Sequence, residues 1–282
     1  MADEVRRLLL QRAARLVRIA ARAREGDDRE AVHDLRVAIR RLESALGVWQ
    51  DALAAKPLSR AGRTLRRLRR WAGGTRELEV HGAELRRAVA AAPAGLRSAL
   101  TQVAEDLEQE LDRRRVRLVA RLKPARLQRM QRRVRRAIRP LAPACDLLEL
   151  QRQAGMRVED RRRRALAALL EARSSTSEQT LHDARLQVKR WRYSEEALAA
   201  ATHEGLAGEE ALQRLQQFLG EVQDLDTLRE WALAWRQRYA DQGRQEHVAA
   251  LEWLLTRSGS ARLAALERFR SQSLPAGDFA SA

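Results

Sequence analysis

Two short basic segments carry the residue types that could do chemistry. One runs from His33 to Arg41 and the other from His182 to Arg190. At about 100 degrees per residue, a helix brings a histidine and the cations three and seven places after it onto one narrow face. Guanidinium groups hold phosphate oxygens through paired hydrogen bonds, and a protonated imidazole adds another donor. The spacing therefore predicts a stripe that binds a long polyanion in each segment.

The predicted ligand-binding residues lie on these stripes or flank them: His33, Arg36, Arg40 and Arg41 in the first segment, and His182, Arg185, Lys189 and Arg190 in the second. Other basic stripes have the same rhythm and are further candidates, although a solvated helix face in an Arg-rich protein would have the same pattern: Arg15, Arg18, Arg22, Arg132 and Arg136.

The opposite face of the first segment is apolar. Val32, Leu35, Ile39, Leu42 and Leu46 recur at helical spacing and predict the face that packs into a bundle. Val37 and Leu186 interrupt the two basic stripes, which indicates that the stripes line a groove.

Helices must position these stripes, because Ala, Leu, Arg and Glu dominate the chain and aromatic residues make up only 4% of it. Long segments of helical periodicity are separated by short polar, Gly or Pro breaks, and none reads as a strand. The breaks lie at Gly26–Asp28, Lys56–Pro57, Ala92–Pro93, Pro140–Pro143, Ser174–Ser177, Glu204–Gly205 and Gln242–Gly243. The sequence predicts an all-α protein with short connections, as in a bundle.

The two basic segments are copies within an internal repeat. Residues 32–42 match residues 181–191 at an offset of 149, and residues 76–80 match residues 223–227 at an offset of 147. Two matches in the same order indicate duplicated halves, each with about four helices. We therefore predict one half at residues 1–142 and a second at 143–282.

The net charge of +17 favours an anionic partner. Residues 1–145 hold 35 Lys and Arg against 17 Asp and Glu, whereas residues 146–282 hold 20 against 21. A GC-rich genome that substitutes Arg for Lys could raise the Arg count, but it would not explain the shortage of acids in the first half.

The same sequence argues against several classes of protein. The first residues have no apolar stretch of the kind a secretory signal needs, no run could span a membrane, and Cys145 is the one cysteine, so we expect a cytoplasmic protein. Metal spacing, a nucleophile and base pair, and a glycine-rich phosphate loop are missing from the motifs, which predicts a protein without cofactor, metal or enzymatic activity.

The chain resembles the CHAD domain, the conserved-histidine alpha-helical domain, over nearly its whole length. Both His-Asp-x-Arg-x-x-x-Arg/Lys-Arg runs match the family signature, and Phe218–Asp226 resembles its second motif. The resemblance implies two four-helix bundles related by pseudo-twofold symmetry and a basic pocket that binds inorganic polyphosphate. It also implies targeting to polyphosphate granules in some members.

The resemblance adds Arg192 to the predicted binding residues. Glu43 stands at the corresponding place in the first copy, where the family usually has a basic residue, and Arg76–Glu79 reads Arg-Glu-Leu-Glu in place of the usual Arg-Asp-Leu-Asp. No adjoining triphosphate-tunnel domain is expected, so enzymatic activity borrowed from such a fusion is not predicted.

Two other functions remain open from the residues alone. A cationic protein binds nucleic acid through counterion release, without sequence reading because no recognition motif is present. A histidine phosphotransfer protein also presents a histidine beside a cation on a helical bundle, but two densely cationic stripes favour holding phosphate that is already made.

Overall fold

The computed structural model describes residues 2–25, 30–141, 147–203 and 209–272. Nine α-helices and no strand occur in these ranges, which confirms the all-α prediction: α1 Ala2–Glu25, α2 Ala31–Val48, α3 Ala55–Ala91, α4 Ala94–Arg121, α5 Pro124–Ala137, α6 Leu147–Ser174, α7 Glu178–Thr202, α8 Glu209–Asp241 and α9 Gln245–Ser271. A 3-10 turn at Gln50–Ala52 follows α2.

The helices end where backbone chemistry requires it. Gly243 has φ +72° between α8 and α9, a conformation that glycine adopts without the steric cost of a Cβ. Pro93 and Ser174–Ser177 separate helices at predicted breaks. The predicted breaks at Gly26–Asp28 and Glu204–Gly205 lie wholly or partly outside the described residues, as does part of Pro140–Pro143.

Two predicted details differ in the structure. Lys56–Pro57 lies inside the first turn of α3, where proline is tolerated because its missing N–H would have no helical partner. A break that the periodicity did not show separates α4 from α5, since Lys123 precedes Pro124 and is extended at φ −60° and ψ 130°. The described part of residues 1–142 therefore contains five helices.

Three helix ends of the first half agree with those of the second half to within one residue at the repeat offset. Adding 149 to the last residues of α1, α3 and α4 gives 174, 240 and 270, and α6, α8 and α9 end at Ser174, Asp241 and Ser271. The symmetry of the halves in space stays a prediction. The predicted boundary at residues 142 and 143, like Cys145, falls outside the described residues and also stays a prediction.

The chain folds into two compact units. Unit 1 comprises Met1–Thr75, Arg115–Ala167 and Leu186–Glu209, and unit 2 comprises Arg76–Arg114, Ala168–Arg185 and Glu210–Ala282. Each unit thus takes segments from both halves of the sequence.

Each unit has its own apolar core. In unit 1, α1 packs against α2 and α5, and Leu9, Leu16, Leu35, Ile39 and Trp49 are fully buried. In unit 2, buried residues of α3, α4, α8 and α9 include Leu85, Leu100, Tyr239 and Leu251. None of the described helices combines the length and apolar character that crossing a membrane would require.

Candidate anion-binding site

A cationic cavity of about 200 Å³ lies within unit 1. Four helices line it. α2 contributes Arg40, Glu43 and Ser44; α3 contributes Arg69; α6 contributes Arg161; and α7 contributes Leu186, Lys189, Arg190 and Tyr193. Five cations and one carboxylate therefore surround the space, which we call the unit 1 pocket.

The amphipathic pattern of α2 places Arg40 and Glu43 at the pocket. Val32, Leu35, Ile39, Leu42 and Leu46 are all buried, so the predicted core face of this helix is confirmed. The remaining faces carry the polar residues, and the pocket forms where they meet the basic segment of α7. Leu186 lines the pocket, as expected for an apolar interruption of a stripe inside a groove.

Arg40 has little access to solvent and a neutral partner. Burial lowers the pKa of Arg40, and the tyrosine hydroxyl of Tyr193, which is hydrogen bonded to it, acts in the opposite direction. Arg69 lowers the pKa of Arg40 further because the two positive charges repel. A charge in this setting costs the protein stability, and an anion that entered the pocket would offset that cost.

Glu43 is the acidic residue of the pocket, and it is engaged by Arg69. Arg69 Nη1 donates to Glu43 Oε2 at 3.2 Å. Burial raises the pKa of Glu43, while the nearby charges of Arg69, Arg40 and Arg66 act to lower it. The pocket keeps a positive excess because this one carboxylate faces five cations.

Arg161 is held by two serine hydroxyls. Its Nη1 donates to Ser194 Oγ and to Ser44 Oγ, the latter at 3.4 Å, and the two hydroxyls lie 3.0 Å apart. Burial lowers the pKa of Arg161, with further lowering by the charges of Arg157 and Arg190. The hydroxyls orient the guanidinium without neutralising it.

In a second cluster of unit 1, three arginines surround the carboxylate of Glu196. Arg41 Nε donates to Glu196 Oε2 at 2.8 Å, and Arg192 Nη2 lies 3.7 Å from Glu196 Oε1. Arg12 donates to the backbone oxygens of Arg41 at 2.8 Å and of Glu196 at 3.2 Å. Burial lowers the pKa of Arg12 to about 10, although the charge of Glu196 opposes this shift. Arg41 and Arg192, both predicted binding residues, thus lie in an ion-pair cluster.

In unit 2, the second sequence motif contacts the second histidine segment. His182 Nδ1 and Gln223 Oε1 are 2.5 Å apart, and Arg185 Nη2 lies 3.9 Å from Asp224 Oδ1. A Cβ at Gly220 would meet Arg185 Nε at 4.0 Å, so a larger side chain here would approach this arginine. Helix α8 therefore fixes the orientation of His182 and Arg185.

The other predicted residues are in unit 1. His33 is exposed and Arg36 is partly buried on α2. Arg22 Nη1 donates to Asp34 Oδ2 at 3.3 Å, and both side chains are a little under half exposed. The remaining candidates are exposed and are not among the residues lining the unit 1 pocket: Arg15 and Arg18 on α1, and Arg132 and Arg136 on α5.

Sequence reasoning missed Arg69, Arg161 and Arg12. Arg69 and Arg161 lie on helices far along the chain from the histidine motifs, in Arg-rich runs whose members look alike. One signal could have found Arg161. The repeat offset of 149 pairs it with Arg12, and both positions occupy the same place in the apolar periodicity of their helices.

Among the described residues, no group of three or more His, Cys, Asp and Glu side chains is placed to hold a metal ion. The donors that line the unit 1 pocket are guanidinium, ammonium and hydroxyl groups. These groups bind anions by charge-assisted hydrogen bonds.

The chain is similar to known proteins both in sequence and in fold. The sequence model of the CHAD domain matches residues 7–233. The CHAD domain from the plant Ricinus communis is 19% identical, with a TM-score of 0.70 over 97% of this chain and 94% of that chain. PptA from Streptomyces chartreusis is 20% identical, with a TM-score of 0.64 over 96% of this chain and 98% of that chain. At such identities the likeness concerns the fold, and no curated protein matches the chain. Because the family match covers most of its length, the chain belongs to the CHAD domain family.

Proposed function

We propose that this protein binds inorganic polyphosphate, without catalysis, in the unit 1 pocket. The observation that carries the proposal is the convergence of Arg40, Arg69, Arg161, Lys189 and Arg190 on a cavity of about 200 Å³. Guanidinium and ammonium groups are the side chains that proteins use to hold phosphate oxygens.

The density of charge favours polyphosphate over nucleic acid. Neighbouring phosphoryl groups in polyphosphate share one bridging oxygen, whereas a sugar separates them in a nucleic acid. Five cations around so small a cavity match closely spaced negative groups. Nucleic acid should bind to the exposed cations through counterion release, without a preferred sequence. We therefore expect polyphosphate to displace nucleic acid at low stoichiometry and the reverse to need a large excess.

A pair of charge-matched double variants tests the pocket. R40Q/K189Q removes two positive charges from it, and R7Q/R117Q removes two from exposed positions on α1 and α4 outside it. We expect the first variant to weaken the binding of long-chain polyphosphate by more than thirtyfold and the second by less than about threefold, because screened surface charges contribute little.

The measurement is fluorescence anisotropy or filter binding at fixed ionic strength, with circular dichroism to show that both variants keep their helices. Equal losses in the two variants would mean that affinity follows overall charge, and the pocket would then not be the site. Granule targeting, where it occurs, would depend on this binding, so R40Q/K189Q should also lose any localisation to polyphosphate granules.

A further inference from the structure

Within unit 1, the repeat matches two arginines with each other, and it matches a glycine with a glutamate. At the offset of 149, Arg12 corresponds to Arg161, and Gly47 corresponds to Glu196. The pairing of α1 with α6 is supported by burial, because four pairs of matched positions are buried in both helices: Leu9 with Val158, Leu16 with Ala165, Ala20 with Leu169, and Ala23 with Ala172.

The contacts of these residues repeat as well. Arg12 lies against α7 at Glu196, to whose backbone oxygen its Nη2 donates at 3.2 Å. Arg161 lies against α2 at Gly47, where an added Cβ would be 2.7 Å from Arg161 Nη2. Each arginine on the first helix of one half thus packs against the same position of the second helix of the other half.

The two places differ in charge. The Glu196 carboxylate is 11% exposed and bound by Arg41 and Arg192, with Arg12 beside it. Gly47 provides no carboxylate, and Arg161 donates to the hydroxyls of Ser44 and Ser194. The charge of Asp160 raises the pKa of Arg161, but burial and the charges of Arg157 and Arg190 outweigh it and lower the pKa. A carboxylate and a phosphate oxygen present the same acceptor chemistry to a guanidinium.

We propose that Glu196 is a built-in anion that occupies one of two repeat-related anion sites, and that Gly47 leaves the other open for ligand. This rests on the proposed function, since it assigns which half of a duplicated cationic surface takes the phosphate. Glu196 makes the Arg12 cluster a structural element. Because Gly47 supplies no carboxylate, the guanidinium of Arg161 stays available to bind an incoming phosphoryl group.

Glu43 does not fill the open site in the way that Glu196 fills its counterpart. Glu43 corresponds to Arg192 in the repeat, and it pairs with Arg69 on α3, whereas Glu196 is bound by Arg41 and Arg192. The charge on Arg161 is therefore not neutralised by it. Arg161 lines the unit 1 pocket, whose volume of about 200 Å³ is small, so a short polyphosphate should suffice as ligand.

The first test compares G47E with G47Q, using tripolyphosphate as the probe. G47E would supply a carboxylate against Arg161, as Glu196 does beside Arg12, and G47Q adds the same bulk without charge. Isothermal titration calorimetry should show at least tenfold weaker tripolyphosphate binding for G47E than for G47Q. Equal affinities of the two variants would overturn the proposal, because the effect would then be steric.

The second test removes the built-in anion with E196Q. We expect calorimetry to show a second tripolyphosphate equivalent bound to E196Q, and tripolyphosphate to raise its melting temperature more than that of the wild type. An unchanged stoichiometry in folded E196Q would contradict the assignment of the Arg12 cluster as a filled anion site. If E196Q does not fold, the comparison of G47E with G47Q alone decides whether the proposal stands.

The wild type separates this inference from the proposed function. Wild-type protein that binds neither tripolyphosphate nor long polyphosphate would remove the function itself. Wild-type protein that binds both, together with G47E that binds as tightly as G47Q, would leave the function standing and remove the roles given to Gly47 and Glu196.

Discussion

Arg69 Nη1 lies 3.2 Å from Glu43 Oε2 at the edge of the unit 1 pocket, so the acidic residue that lines the pocket is bound to one of its five cations. The ion pair neutralises the charge of Arg69, which would otherwise be available to a ligand. It also places a negative charge near the space that a phosphoryl group would enter.

Replacing this carboxylate should improve binding. E43Q removes a negative charge from the pocket and frees Arg69, and we expect polyphosphate affinity to rise about fivefold, equivalent to about 1 kcal/mol. The matched control is E4Q, which breaks the exposed pair with Arg7 on α1 and should leave the affinity as it is. Weaker binding by E43Q in an anisotropy titration would show that the carboxylate orients Arg69 for the ligand.

The same carboxylate predicts a pH dependence. Burial raises the pKa of Glu43, so it takes up a proton at a higher pH than an ordinary glutamate, although Arg69, Arg40 and Arg66 oppose the shift. Protonation makes the pocket more positive, and affinity should therefore increase as the pH falls through this pKa. The increase attributable to Glu43 is the difference between wild type and E43Q, measured from pH 7 to pH 4. Parallel curves for the two proteins would exclude Glu43 as the titrating group.

Removing Arg161 should separate binding from stability. R161M keeps an apolar stem while deleting a charge whose pKa is lowered by burial and by neighbouring cations. Ser44 and Ser194 remain 3.0 Å apart and paired with each other. We expect the ligand-free variant to melt at the same temperature as the wild type or a few degrees higher, since burial disfavours the Arg161 charge that the substitution removes.

Polyphosphate binding by R161M should nevertheless fall at least tenfold. A thermal melt without ligand gives the melting temperature, and a titration with polyphosphate gives the affinity. A large loss of stability would mean that Arg161 is a structural residue of unit 1.

Salt should weaken binding steeply. If each phosphate contact costs about 0.7 log units of affinity per decade of salt, as for single-stranded nucleic acid, five contacts give a slope of about 3.5. R161M should reduce the slope by about 0.7, whereas R7Q, which removes an exposed charge on α1, should not. A slope that R7Q and R161M lower equally would indicate diffuse binding over the whole surface.

A buried histidine of unit 2 predicts acid sensitivity of the fold. Burial lowers the pKa of His81 to about 4, with a further contribution from the charge of Arg114. The neutral ring therefore stabilises the folded state above about pH 6.5, and this contribution is lost as the pH falls toward 4. The shift corresponds to about 3 kcal/mol at most.

The variant H81L should flatten the fall in the free energy of unfolding between pH 6.5 and pH 4, measured by urea denaturation. His81 contacts Trp231 and lies 3.3 Å from Thr227 Oγ1, so leucine retains the apolar contact but loses the hydrogen bond. The control is H203Q, at an exposed position in unit 1. If H81L and wild type lost stability in parallel, another group would have to be responsible.

Much of the fold could be predicted from periodicity. The core face of α2 is confirmed, because apolar spacing reports directly on which side of a helix is packed. The break before Pro124 could not be located in the same way, since apolar residues continue at helical spacing on both sides of it. Proline acted there through the backbone of Lys123, not through hydrophobicity.

The candidate site could be predicted only in part. Arg40 and Lys189 on the stripes and Arg190 beside the second stripe were predicted and line the pocket. Arg41, which flanks the first stripe as Arg190 flanks the second, pairs with Glu196 instead. Spacing along one helix cannot show which carboxylate of another helix will reach a cation. For the same reason the helical spacing alone did not distinguish Arg69 and Arg161, which α3 and α6 bring to the pocket, from the arginines around them.

The pair of serine hydroxyls beneath Arg161 has a consequence for the thermodynamics of capture. A free arginine side chain loses up to about 2 kcal/mol of rotamer entropy when a ligand immobilises it. Because Ser44 and Ser194 already fix this guanidinium during folding, that entropy is lost before any anion arrives, and association is left with a smaller ordering penalty.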